Sequence, residues 1–308
     1  MESEKALELV YESPRKNRIF AAHFFDWFVT ILIGFCFLLG SNQILKITQS
    51  YQNETMLRDS IRKESKLYEE KEGTLYPLNS YLDDSKYTRE AKCEFYETRL
   101  TYFYETYLAA YPSSNGKEAY SKLKTEAKSN GTTLFNVGGT KAQTSSDYLD
   151  AYVSFYESSY SNDALGRLNY NPSYHKSLQS ILGMQIASFA VSFSLSGLIF
   201  FLVIPLCIKR GRLTLGMKLS RIGLVDSKGL SPKISRSILY CLFRVIFIYI
   251  GSIVAFLVPL AISIGFFLIR KNNQTLEEYL FGLYQVDTKN ERIYSSIFEA
   301  KRLQKSKY

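Results

Sequence analysis

The sequence predicts an all-α integral membrane protein of four transmembrane helices, the last two a short hairpin, with a mostly helical extracytoplasmic domain inserted between the first two. Three observations carry this. Apolar residues collect in three blocks, Ile19 to Gly40, Ile181 to Ile208 and Ile238 to Ile269, each exceeding the roughly 20 residues that cross a hydrocarbon core of about 30 Å. The net charge is +9, and the excess lies beside those blocks. Between Asn42 and Leu178 the chain is polar, rich in tyrosine and balanced, 17 basic against 18 acidic residues. A mean hydropathy of -0.10 averages this segregation away.

Residues 1–18 form a polar leader holding Arg15, Lys16 and Arg18. The first span, 19–41, is too long for a signal peptide, contains Asp26 and lacks a small-residue cleavage site, so it reads as a retained helix. Basic residues flank spans on the cytoplasmic side. The N-terminus is therefore expected inside, and 42–178 outside. Within that domain, Ile44 to Glu72 reads as an outward continuation of the first helix. Further helices are expected over Arg89 to Tyr111, Lys117 to Lys128 and Ser146 to Tyr160, with a loop or small hairpin over Gly131 to Thr140. Tyr148, Tyr152, Tyr156 and Tyr160 recur every four residues, on one helix face. They fit either a binding surface or a core in which tyrosine does the work of leucine.

The second span, 179–208, returns inward and leads to a cytoplasmic loop, 209–236, holding Lys209, Arg210, Arg212, Lys218 and Arg221. The last apolar run, 237–270, crosses once or folds as a hairpin. Charge favours the hairpin, with a break near Gly251 and Ser252 and Pro259 inside the second arm, because Arg270, Lys271 and the tail of 271–308 (Lys301, Arg302, Lys305, Lys307) then stay inside. Localisation follows as a multi-pass protein of the cell membrane with both termini cytoplasmic.

Asp26 is the strongest single signal. It lies about 10 Å into the hydrocarbon at 1.5 Å per residue, where a charged side chain costs on the order of 3 kcal/mol and needs a partner. Arg18 lies about 12 Å away on the same helix. Arg244, six residues into the third block, enters to a similar depth from the same side. An intramembrane cluster of Arg18, Asp26 and Arg244 is expected, with Asp26 and Arg244 paired. It serves either as a register-fixing ion pair or as a proton or cation site. On the second span, Gln185, Ser188, Ser192 and Ser196 form a polar stripe, either close packing between helices or a hydroxyl-lined path. His23 reads as an interfacial hydrogen-bonding residue.

Catalytic and metal constellations are missing from the sequence. It has no G-x-S-x-G, H-E-x-x-H or P-loop, and its four cysteines show no C-x-x-C spacing. An enzyme is not expected, nor a cofactor, a metal or a nucleic-acid partner. The expected partners are the lipid bilayer, a second copy or another membrane-complex subunit, and a protein bound by the outside domain.

Three motifs resemble those of the RDD family of bacterial membrane proteins. R-I-F-A-A-H-F-F-D is similar to R-x-x-x-A-x-x-x-D and carries Arg18 and Asp26. T-L-G-M-K-L-S-R-I-G-L-V-D-S-K-G resembles T-L-G-K-R-L-L-G-L-R-V-V-D-x-x-G and carries Thr214, Gly216, Lys218, Asp226 and Gly229. Q-T-L-E-E-Y-L-F-G is similar to Q-T-L-H-D-L-L-A-G and carries Gln274, Leu276, Glu278 and Gly282. Glu278 stands where the family has its second aspartate, and Glu277 where it has histidine. The likeness covers 18–41 and 181–287 and leaves the outside domain as an insertion. It implies a membrane protein, for which transport of small solutes or cations has been proposed; the alternative is a non-transporting scaffold whose outside domain holds an envelope or exported partner.

Overall fold

The computed structural model describes residues 11–83, 86–129, 146–208, 211, 213–289 and 292–305. The expected loop over Gly131 to Thr140, the bases Lys209, Arg210, Arg212 and Lys307, and the side chains of Tyr148 and Lys305 lie outside the described residues. The chain is mostly helical and divides into two compact units, Leu45–Gln185 and Met1–Ile44 with Ile186–Tyr308. The division falls within two long helices, α1 (Lys16–Ile47) and the helix Pro172–Cys207.

The unit Leu45–Gln185 holds α2 (Gln49–Glu64), strands β1 (Tyr68–Lys71) and β2 (Thr74–Pro77), α3 (Leu78–Leu82), α4 (Arg89–Tyr102), α5 (Gly116–Ser129) and α6 (Ser146–Ser159). The last three helices fall close to where the sequence places them, but the expected continuation of α1 over Ile44 to Glu72 does not hold: α1 ends at Ile47, a separate α2 ends at Glu64, and β1 occupies Tyr68–Lys71. The antiparallel β1–β2 hairpin was not expected; Glu72 and Gly73, both at positive φ, make its two-residue turn. Tyr96, Tyr104, Tyr120, Tyr156 and Tyr160 are fully buried in the core with Phe103, Leu67, Leu78 and Leu100. The hydroxyls of Tyr160 and Tyr104 anchor neighbouring backbone and side chains. Tyr160 Oη donates to Leu67 O at 3.0 Å and accepts from Leu78 N at 3.2 Å, and Tyr104 Oη donates to Asp163 Oδ2 at 2.7 Å. Of the sequence's two readings of these tyrosines, this geometry is that of a packed core.

Among the described residues three helices are long and apolar enough to cross a bilayer: α1, α7 (Pro172–Cys207) and α9 (Ile234–Val254), the first two shared between the units and α9 lying in the other one. Helix α1 buries one stripe, Ile19, Ala22, Asp26, Thr30 and Gly34, at helical spacing. Its other faces expose Phe20, Phe24, Phe28, Leu32, Phe35 and Leu39, a composition that suits lipid rather than water. Helix α7 widens into a π turn at Ile199–Val203, just before Pro205, where the proline ring cannot fit a regular turn. After α7 come a short α8 (Leu215–Leu219) and β3 (Ile222–Val225).

The last apolar run breaks at Ala255 to Leu257, not near Gly251 and Ser252. It forms α9 and a shorter α10 (Val258–Ile269) instead of two equal arms. Pro259 fixes the place: it sits in the first turn of α10, where its missing N–H is not needed. Phe256 and Leu257 take up the reversal at φ 46 and 66. Helix α10 returns along α9; Leu260 N donates to Ser252 Oγ at 3.0 Å, and further along, Ser263 and Arg244 meet the same carboxylate.

The tail supplies α11 (Leu276–Leu280), β4 (Tyr284–Asp287) and α12 (Ile297–Lys305). Strand β4 pairs antiparallel with β3, Ile222 opposite Asp287 and Val225 opposite Tyr284. The two polar motifs that flank the apolar run are therefore hydrogen-bonded to each other, and Asp287 N also bonds Glu12 O at 2.9 Å.

Candidate functional site: a buried polar cluster

Helix α1 presents His23 and Asp26 three residues apart, nearly on one face. Asp26 is fully buried. Its Oδ2 accepts from Thr214 Oγ1 at 2.5 Å and its Oδ1 from Gly216 N at 2.7 Å. Thr214 is the N-cap of α8, its hydroxyl also accepting from Met217 N at 3.3 Å. The carboxylate thus holds a capped helix start against the middle of α1. Gly216 is needed there: an added Cβ would strike the Ala22 carbonyl oxygen and lie 2.8 Å from Asp26 Oδ1.

Arg244, also buried, does not take Asp26 as its direct partner. Its Nε lies 3.9 Å from Glu277 Oε1, Nη1 donates to Tyr240 Oη at 3.2 Å, and Nη2 is 2.9 Å from His23 Nδ1. The guanidinium stacks 4.7 Å from the Phe201 ring centre. Glu277 is closed off on its other side by Ser263 Oγ, which donates to Oε2 at 2.6 Å. The expected triad thus separates. Asp26 is satisfied by a loop and Arg244 by α11. Arg18 bonds the Asp287 carboxylate and donates to Ser220 O at 2.6 Å; eight residues of helix hold it too far from Asp26 for contact.

Glu278 completes the cluster. It is fully buried, and the nearby Arg270 stacks on Tyr279, 4.0 Å from its ring centre. Glu278 Oε2 accepts from Thr275 N at 3.0 Å, capping its own helix, and Oε1 accepts from Gln285 Nε2 at 2.6 Å. Gln285 Nε2 is also 3.0 Å from His23 Nε2, which lies 4.0 Å from Glu278 Oε1. Burial and the neighbouring Glu277 carboxylate push Glu278 up to about 7.

This geometry constrains where the protons sit. A guanidinium only donates, so His23 Nδ1 accepts from Arg244 and the ring hydrogen is on Nε2. That hydrogen needs an acceptor, yet the nearest atom, Gln285 Nε2, is a donor. Which end an amide presents is settled by the network around it. Turned about, Gln285 offers its oxygen to His23, and Glu278 can meet that oxygen at 2.6 Å only as a protonated acid. Among the described residues Gln285 Oε1 has no hydrogen-bond partner where it stands, so the turn breaks no bond of that atom. In that arrangement Glu278 carries the proton that joins it to Gln285.

The remaining expected positions play smaller parts. Asp226 Oδ1 accepts from Lys228 N and Leu230 N in a turn closed by Gly229 at φ 72. Gln274 Nε2 donates to Leu283 O at 2.7 Å, Gly282 ends α11 at φ 59, and Lys218 is exposed. Ser188 and Ser192 bond Ser41 at 2.7 and 2.9 Å, and Ser196 bonds Tyr249 Oη at 3.0 Å. These serines join helices, whereas Gln185 is exposed. Sequence reasoning passed over His23, Glu277, Gln285, Asp287, Ser263 and Tyr240 as members of the site. Glu277 and Glu278, adjacent acids after an apolar helix, were the available signal; Gln285 and Asp287 needed the strand pairing.

Three helices fit to span a bilayer and a polar cluster buried among them define a membrane protein. No family model, curated protein or solved structure matches the chain, so its function is read from its own residues.

Proposed function

We propose that this is a multi-pass membrane protein that handles a proton or small cation at its buried cluster, as a transporter or a transporter subunit. One observation carries the reading: among the described residues three buried carboxylates, Asp26, Glu277 and Glu278, gather near a single buried guanidinium, Arg244. Such a group is short of positive charge, and a proton on Glu278 or a bound cation restores it. Ionisable residues at membrane depth mark ion and proton paths by default. The proton logic at His23, Gln285 and Glu278 supports the proton.

The topology proposed with it has four crossings. Pairing of β3 with β4 supports a return of α9 and α10 to the side they left, and the leader's bond to β4 supports the same side for the N-terminus. With the basic flanks that side is the cytoplasm, and Leu45–Gln185 is outside. The three motifs resembling those of the RDD family support the same arrangement.

The test is flux into vesicles reconstituted with purified protein, driven by a pH or sodium gradient. Wild type is expected to dissipate the gradient, and Glu278→Gln to abolish this while folding normally. Equal flux in wild type, variant and empty vesicles would leave the second reading. That reading is a scaffold with a protein partner outside. It is favoured by the self-contained tyrosine core of Leu45–Gln185 and by the capping bonds that already occupy Asp26 and Glu278.

A further inference from the structure

We propose that the cavity at the start of α1 is a binding site for a phosphoryl group, supplied by an anionic phospholipid at the inner membrane face. The cavity, of about 690 Å³, is separate from the buried cluster and is formed by the leader, the end of α8 and the end of β4. Four cations line it: Arg15, Arg18, Arg221 and Lys289. Two carboxylates share it, Glu12 and Asp287, and Asp287 is already bound by Arg18. Among the described residues no carboxylate lies within 4.0 Å of the charged ends of Arg15, Arg221 or Lys289. Ser13 and Ser220 add hydroxyls.

Arg221 is held unusually. It sits at φ 51, a region non-glycine residues seldom enter. Its carbonyl accepts from Thr288 N at 2.9 Å and Arg18 Nη2 at 3.3 Å. Arg18 is spent on Asp287 and the Ser220 carbonyl, so the Arg15 and Arg221 guanidiniums and the Lys289 ammonium are left to meet the oxygens of a phosphate. Position favours lipid as the source. Arg18 directly precedes Ile19, where the apolar span begins, and Leu219 on the cavity wall is 69% exposed, an apolar edge beside a charged hollow. The lipid source rests on the membrane reading above; the phosphoryl chemistry does not.

Full-length protein in a zwitterionic detergent would be titrated with short-chain phosphatidic acid, with phosphatidylcholine and with inorganic phosphate, and bound molecules counted by native mass spectrometry. One saturable phosphatidic acid per chain is expected, with phosphatidylcholine much weaker. Each lost cation is expected to weaken binding about fivefold. The variants are Lys289→Gln and Arg221→Gly; glycine accepts the positive φ, so the second keeps the backbone while removing the guanidinium. Non-saturating uptake, or wild-type binding by both variants, would overturn the site. Competition by inorganic phosphate without lipid selectivity keeps the phosphoryl chemistry and overturns the lipid source. Release of the protein from native membranes by alkaline carbonate would instead sink the membrane reading, and the phosphate titration still stands on its own.

Discussion

Replacing Asp26 separates two roles that the buried carboxylate combines. Alanine removes both oxygens and strands the Thr214 hydroxyl hydrogen and the Gly216 N–H in a dry interior. Each stranded donor costs about 1–3 kcal/mol, so Asp26→Ala is expected to lose about 3–5 kcal/mol. Asparagine behaves differently. Its oxygen still accepts from Gly216 N, and its amide can donate to Thr214 Oγ1, whose hydroxyl hydrogen then needs another acceptor. Charge assistance is lost, a difference of about 1–1.5 kcal/mol per bond, so over the two bonds Asp26→Asn is expected to lose about 2–3 kcal/mol. The assay is reversible unfolding in mixed micelles followed by circular dichroism, with both variants at one detergent ratio. A cost for asparagine equal to that for alanine would refute the argument, because the charge and not the two accepted bonds would then be holding α8. A cost below about 1 kcal/mol for alanine would refute it from the other side.

Four further outcomes are expected. Gly216→Ala forces the added methyl into the Ala22 carbonyl and should destabilise by at least about 2 kcal/mol, while Gly40→Ala, with open space around it, should not; paired melting curves check this. Tyr160→Phe removes both bonds of Tyr160 Oη but leaves Leu78 N donating to Leu67 O at 3.2 Å, so it should cost only about 0.5–1.5 kcal/mol. By contrast Tyr96→Phe, whose buried hydroxyl has no partner among the described residues, should be neutral or stabilising, as read by denaturant titration. Glu278 is raised from 4.5 to about 7 in the folded chain. Its contribution is therefore full below pH 4.5, shrinks as pH rises through 7 and is absent above it, with a slope of at most about 1.4 kcal/mol per pH unit; Glu278→Gln should flatten that part of the pH–stability curve. Asp287 is held below its ordinary value by Arg18, so its contribution is present above about pH 4 and lost on further acidification, and Asp287→Asn should remove that acid limb from the same curve.

The helices were legible because their signals are local. Apolar length marks α1, α7 and α9, and helix periodicity with Pro112 as a stop marks α4. Both strand pairs were missed. Tyr68–Lys71 and Ile222–Val225 are four residues each, too short for alternation to stand out against the charged or apolar sequence around them. The break before α10 was misplaced because glycine and serine invite a bend, whereas the proline imposes one only where a helix begins. Asp26 and Arg244 were correctly found to be buried, since a charge within an apolar block has nowhere else to go. Their partners were not legible. Depth along the membrane normal says how far in a residue lies, not which way it faces, and helix rotation turns Arg244 to His23 and Glu277.

That rotation changes what the polar residues of the spans are for. Were Asp26 and Arg244 paired, the charge in the bundle would be closed within its helices, and the loops would be connectors. Instead α1 is held through Asp26 by the segment after α7, through Arg18 by β4, and through His23 by both α9 and β4. The partners of Asp26 and Glu278, and the acid nearest Arg244, come from the two polar motifs, and those motifs are joined by β3 and β4. A proton gained or lost at Glu278 therefore acts on Gln285 and His23 directly. It reaches Arg244 through the histidine and the β3–β4 pair through the strand. The short strands are the element through which the charge state of the cluster can be felt at the end of the bundle, where Arg18 and Asp287 line the cavity beside Arg221 and Lys289. A ligand there and a proton on Glu278 would share β4 as a common mechanical element, and reciprocal coupling between the two sites follows if both shift that strand.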